Sequence, residues 1–155
     1  MVHNGSPSGA NVSTGDGGLT SFGSVVTGAG SGGDCAVGGT KTSHGWNFAD
    51  DSTCGFTGTG DVQGTGHDPL LGALANNGGP TETLLPQTGS PLVNAIPVAS
   101  CQLDGASGVS TDQRGITRPQ GSGCDIGAVE VQVVTPTPAP VAAPAAVVVT
   151  PAFTG

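Results

Sequence analysis

This chain has almost nothing with which to clothe a helix. A soluble helical protein fills its outer face with long side chains such as Lys, Glu, Gln and Arg, and here there are one lysine, two arginines and two glutamates. Charged residues make up 9% and there is no tyrosine, so a mainly helical fold is all but excluded. Twenty-nine glycines and twelve prolines, about a quarter of the chain, leave two choices: low complexity or a loop-rich β architecture. A hydrophobic fraction of 35% and a mean hydropathy of +0.06 favour the second. Full disorder needs low hydrophobicity combined with high charge.

Composition also divides the chain. Residues 1–18 are mostly small and polar and read as a frayed lead-in. Residues 19–133 are the foldable part, and from Val134 the sequence turns to Pro, Ala, Val and Thr, a spacer of extended polyproline character expected to be disordered. Within the foldable part, Leu19–Val26 reads as one or two strands broken at Gly23. Trp46 and Phe48 stand two apart, the period of one sheet face, and aromatics are scarce enough that Trp46 is expected in the core. Pro69–Gly79 is expected to be a single turn or an irregular apolar loop, and Cys101–Gly123 a polar loop. Residues 126–133 alternate most clearly and predict a strand. Pro86, Pro91 and Pro97 exclude a central strand between Leu84 and Ile96.

A net charge of −8 repels nucleic acid, and no basic stripe offsets it. No stretch approaches the ~20 apolar residues of a membrane span, and the first residues lack the basic and apolar regions of a signal peptide. The four cysteines form two local pairs, with 18 residues between Cys35 and Cys54 and 22 between Cys101 and Cys124. Three connectivities are open. Pairing Cys35 with Cys54 and Cys101 with Cys124 is favoured because each bridge closes a loop within one glycine-rich segment. Zinc is the rival reading, but no Cys-x-x-Cys or Cys/His cluster is present. Disulfides predict a compartment outside the cytoplasm. An exported chain without an export signal is expected to be a piece of a longer protein.

Three ordered stretches then carry a resemblance. His67–Thr81 contains D-P-x-L-G-x-L-x-x-N-G-G-P-T, Leu84–Pro91 contains L-x-P followed by S-P, and Thr111–Glu130 contains D-x-R-G-x-x-R-P and D-I-G-A-x-E. In this order they resemble the C-terminal region of choice-of-anchor Q proteins, bacterial surface proteins related to polymorphic outer-membrane and pectate-lyase-like repeats. The likeness covers roughly residues 34–131. It implies an all-β fold: the terminal rungs and C-terminal cap of a right-handed parallel β-helix. One departure is plain, for Ser90-Pro91 is followed by Leu92-Val93-Asn94, where the family usually has an Asp and then a glycine.

The closing motif can be read without the family. Arg114 and Arg118 are two of only three cations, and Asp112, Asp125 and Glu130 lie near them in sequence. Guanidinium–carboxylate pairs would tie a glycine-rich loop to the last strand, capping the open end of a stacked sheet. No catalytic residue and no cofactor is assigned. Gly28–Gly33 satisfies G-x-G-x-x-G but no helix follows, and Gly39-Thr40-Lys41-Thr42 lacks a glycine that a phosphate loop requires. Asp50, Asp51, Asp61 and Asp68 match no calcium loop and read as solvated turn residues. No acid spacing marks a glycosidase pair. His44 beside Trp46 could stack on a sugar, the weaker reading of that pair. The last five residues resemble a sortase site with Thr154-Gly155 as the cleaved bond, though leucine is more usual at its first position.

The expected function is a structural or adhesive module of a secreted or cell-surface protein, not an enzyme. Its expected partners are a surface glycan or neighbouring surface, a sortase, and upstream rungs of the same protein. The alternative is the non-catalytic end of a polysaccharide-acting lyase or hydrolase whose active site lies upstream.

Overall fold

A computed structural model describes residues 9–101 and 110–132. The expectations for the spacer and for Thr154 and Gly155, and part of those for the lead-in and the polar loop, fall outside them. Among the described residues the fold is all-β and loop-rich, with one short 3-10 turn at Val98–Ser100. No helix there is long and apolar enough to cross a membrane.

The first strands are β1 (Val12–Gly15), β2 (Leu19–Ser21) and β3 (Val25–Val26), and they are followed by β4 (Cys35–Val37), β5 (Lys41–Ser43) and β6 (Phe48–Ala49). The chain makes two passes, and the second runs alongside the first strand for strand, in parallel. Val12 pairs with Cys35, Leu19 with Lys41 and Val25 with Phe48, an offset of 22 or 23 residues each time. A shorter third pass adds β7 (Val62–Gln63) to β6 at an offset of only 14, Phe48 against Val62. Regular structure thus begins at Val12, inside the expected lead-in. The break foreseen at Gly23 separates β2 from β3.

Glycine is needed where the passes lie back to back. A Cβ on Gly39 would stand 2.8 Å from the Asp16 carbonyl oxygen and 2.8 Å from the Gly17 carbonyl carbon, so no larger residue fits that corner. Polar side chains stitch the same corners. Asn47, fully buried, accepts from the Ser21 hydroxyl at 2.7 Å and the Ser24 amide at 3.1 Å, and donates to Asp61 Oδ1 at 3.0 Å. Asp61 in turn accepts the Asn47 amide at 2.7 Å and the Gly58 amide at 2.6 Å. Asp51 accepts from the Asp34 and Thr53 amides, each at 2.8 Å. These acids are therefore backbone partners, not solvated turn residues.

Neighbouring strand residues point to opposite faces, so β3 and β6 carry two cores. Val26 and Ala49 face inward with Cys35, Cys54 and Phe56. Val25 and Phe48 face the other way, and there they meet Leu92, Ile96, Cys124 and Ile126 from the C-terminal half. Trp46 belongs to this second core, half-buried and edge-on to Phe22 at 5.8 Å. Its φ of 50° keeps it out of β6.

The C-terminal half is built differently. Strand β8 (Leu71–Ala75) pairs antiparallel with β9 (Thr83–Pro86), and β10 (Ile96–Pro97) with β11 (Gly123–Cys124). The expected turn or apolar loop at Pro69–Gly79 is corrected, because its middle forms β8 with Leu74 against Leu84. The strand expected from residue 126 is also corrected. Gly127 turns the chain at φ 103°, and the amides of Glu130 and Val131 donate to the Asp112 and Asp125 carboxylates rather than to a neighbouring strand. Cys35 is bridged to Cys54 and Cys101 to Cys124, with Cα atoms 4.8 and 5.7 Å apart.

Candidate functional site

The five residues singled out in the closing motif come together. Asp112, 6% exposed, accepts the Glu130 amide at 2.9 Å, the Ile116 amide at 3.0 Å and the Arg114 amide at 2.7 Å. The Arg114 guanidinium grips the same carboxylate through Nε at 2.9 Å and Nη2 at 2.7 Å. Burial pushes the Asp112 carboxyl up, but these amides and the guanidinium together hold it below the usual carboxylate range. Glu130, with no exposed surface, accepts the Gln120 amide at 2.9 Å and the Asp125 amide at 3.0 Å, and meets Arg118 Nη1 at 3.2 Å. Arg118 also donates to the Asp125 carbonyl at 2.7 Å and the Gly127 carbonyl at 2.6 Å. Asp125 accepts the Asn94 amide at 2.7 Å.

This network ties residues 110–130 into one block, and the block's place differs from the expected end cap. Ile126 packs with Val25 and Phe48, and the Gly127 amide donates to the Gly23 carbonyl at 2.8 Å. The closing motif lies on the flank of the sheet formed by β3, β6 and β7. Asn94, where the sequence departs from the family pattern, takes a left-handed φ of 55° and its Oδ1 accepts the Gly123 amide at 3.1 Å. Asparagine tolerates that conformation better than most residues.

A second constellation was not foreseen. At the corner joining the first two passes, Asp34 is fully buried and Asn11 donates to its Oδ1 at 3.1 Å. Asp50 accepts the Thr27 hydroxyl at 2.6 Å and the Gly28 amide at 3.0 Å. Burial and the negative charges of the neighbouring Asp50 and Asp51 push the Asp34 carboxyl up to about 7. Burial also raises Asp50, but its donors prevail and hold it low. Asp34 therefore keeps its proton into a range where Asp50, held low by its donors, is ionised. The signal in the sequence was the 23-residue step from Asn11 to Asp34 and from Thr27 to Asp50, visible only once the pass length is known.

Asp50 opens onto a groove of about 500 Å³. Thr27, Asp50, His67, Asp68, residues 71–74 of β8 and Leu84 are among the residues that line it. His44 and Trp46 do not line it. Among the described residues no group of His, Cys, Asp or Glu is arranged to hold a metal ion. The chain matches no protein-family model, no curated protein and no solved structure.

Proposed function

We propose that this chain is the terminal part of an extracellular parallel β-helix, a structural and adhesive module of a surface protein of the choice-of-anchor Q kind. The observation that carries this reading is the in-order parallel pairing of β1, β2 and β3 with β4, β5 and β6 at a nearly constant offset. That is the pattern of stacked rungs, in which each repeat contacts its neighbours. The outer edges of β1, β2 and β3 pair with no strand among the described residues, which suits a stack continued by an upstream rung. At the other end the short third pass lies over β4, held by the Cys35–Cys54 bridge and by Thr53 accepting the Cys35 amide at 2.9 Å. Two disulfides fit an oxidising compartment. The sorting role of Thr154 and Gly155 belongs to the same reading.

Duplicating residues 12–34 within the chain tests it. An added rung in register should leave the variant folded, with a β circular dichroism spectrum and an unfolding midpoint no lower than the parent's. A duplication cut to break the register, residues 12–29, should unfold it. If the in-register variant unfolds as readily as the other, the stacked-rung reading is wrong.

A further inference from the structure

The groove beside β8 has features that specify an occupant. Four consecutive residues, 71–74, line it. β8 is bulged between Leu71 and Leu74, so strict alternation breaks there and the groove runs along the strand rather than over one regular face. Among the described residues β8 pairs only with β9, in a two-stranded sheet, so no described strand covers its other edge. Leu74 is 60% exposed there, and Leu84 opposite it adds a second apolar contact. An exposed apolar edge of this kind is a template for strand addition.

The acids that line the groove set its charge. Asp50 and Asp68 line it, and no lysine or arginine does. The chain has three such cations. Arg114 and Arg118 are committed to the closing network, and Lys41 donates to the Thr53 carbonyl. The groove is therefore anionic within a protein of net charge −8.

We propose that this groove binds an extended cationic peptide segment by strand addition to β8. Its backbone would pair with the β8 edge, its apolar side chains would lie on Leu74 and Leu84, and its lysines or arginines would face Asp50 and Asp68. This inference does not depend on the stacked-rung reading. The rung duplication reports on the stack and peptide binding on the groove, so either can fail alone.

The test uses the full chain and a fluorescently labelled peptide alternating valine and lysine, read by anisotropy. Binding is expected, and raising the salt should weaken it. Three changes should each cost affinity: N-methylation of alternate peptide amides, by about tenfold or more; glutamate in place of the peptide lysines, by a similar factor; and Asp68→Asn in the protein, by about threefold to tenfold. Among the described residues Asp68 accepts the Leu70 amide, at 2.7 Å, and circular dichroism should confirm that this variant stays folded. No binding, or equal binding of the N-methylated or the glutamate peptide, overturns the proposal. So does a neutral oligosaccharide that shifts the β8 amide resonances where the peptide does not.

Discussion

The molecule buries carboxyl groups in two ways. In the closing segment Asp112 and Glu130 face arginines, at 2.7 Å from Arg114 and 3.2 Å from Arg118. At the corner of the parallel passes, Asp34 faces other acids, Asp50 and Asp51. The first arrangement needs ionised carboxylates, whereas the second needs a proton. Breaking a buried ion pair strands a charge in a low-dielectric interior. A proton held by Asp34 can simply leave, at the cost of like charges held close together. One region should therefore be sensitive to mutation and the other to pH.

Arg118→Met gives the sharpest break of that contrast. It leaves Glu130, which has no exposed surface, without its cation, and the expected loss is about 3–5 kcal/mol in urea unfolding. An unchanged midpoint would mean that the amide donors alone hold Glu130. Next in size is the Cys35→Ala/Cys54→Ala pair, expected to cost about 2–4 kcal/mol and to show faster amide exchange in β4 than in β9.

Asp34→Asn sharpens the comparison with a smaller, signed effect. Because the folded Asp34 titrates near 7, above its ordinary value of 3.8, the folded state holds a proton that the unfolded chain releases between those values. Its contribution is fully present below about 4, declines as pH rises, and is lost once the folded value is passed. The variant should remove that decline, so it gains on the parent more at pH 8 than at pH 5. Asp112 and Asp50 run the other way: held low, they stabilise above the ordinary carboxylate value, and this is lost as pH falls through their folded values. Carboxyl carbon shifts followed by NMR would check both signs. A parallel pH profile for variant and parent would refute the raised titration of Asp34. The smallest effect is Leu74→Ser, which removes an apolar side chain already 60% exposed and should change stability by less than about 0.5 kcal/mol.

How legible this was from sequence depended on the range of the contact. The class followed from glycine and the missing long side chains. The two disulfides followed from local spacing, and the Asp112–Glu130 cluster from having most of the chain's cations within twenty residues of it. Periodicity misled in the last segment. Residues 126–131 alternate, yet their amides bond to carboxylates and loop carbonyls, because Gly127 breaks the extended path. Leu71–Ala75 alternates poorly, yet pairs with β9, for an edge strand exposed on most sides needs little apolar pattern. Asp34 and Asn47 were invisible because the partners named above lie 14 to 26 residues away, in neighbouring passes.

The bond from Gly127 to Gly23 has a consequence for the order in which the protein can be made. As the chain emerges N-terminus first, the parallel passes are complete by residue 63. The face carrying Phe22, Val25, Trp46 and Phe48 then has nothing to cover it until Leu92, Ile96 and finally Ile126 arrive. Closing so wide a loop is slow, and an uncovered apolar face invites association with other growing chains. A chaperone or translocation machine that keeps the first half unfolded until the last residues emerge would remove that interval altogether.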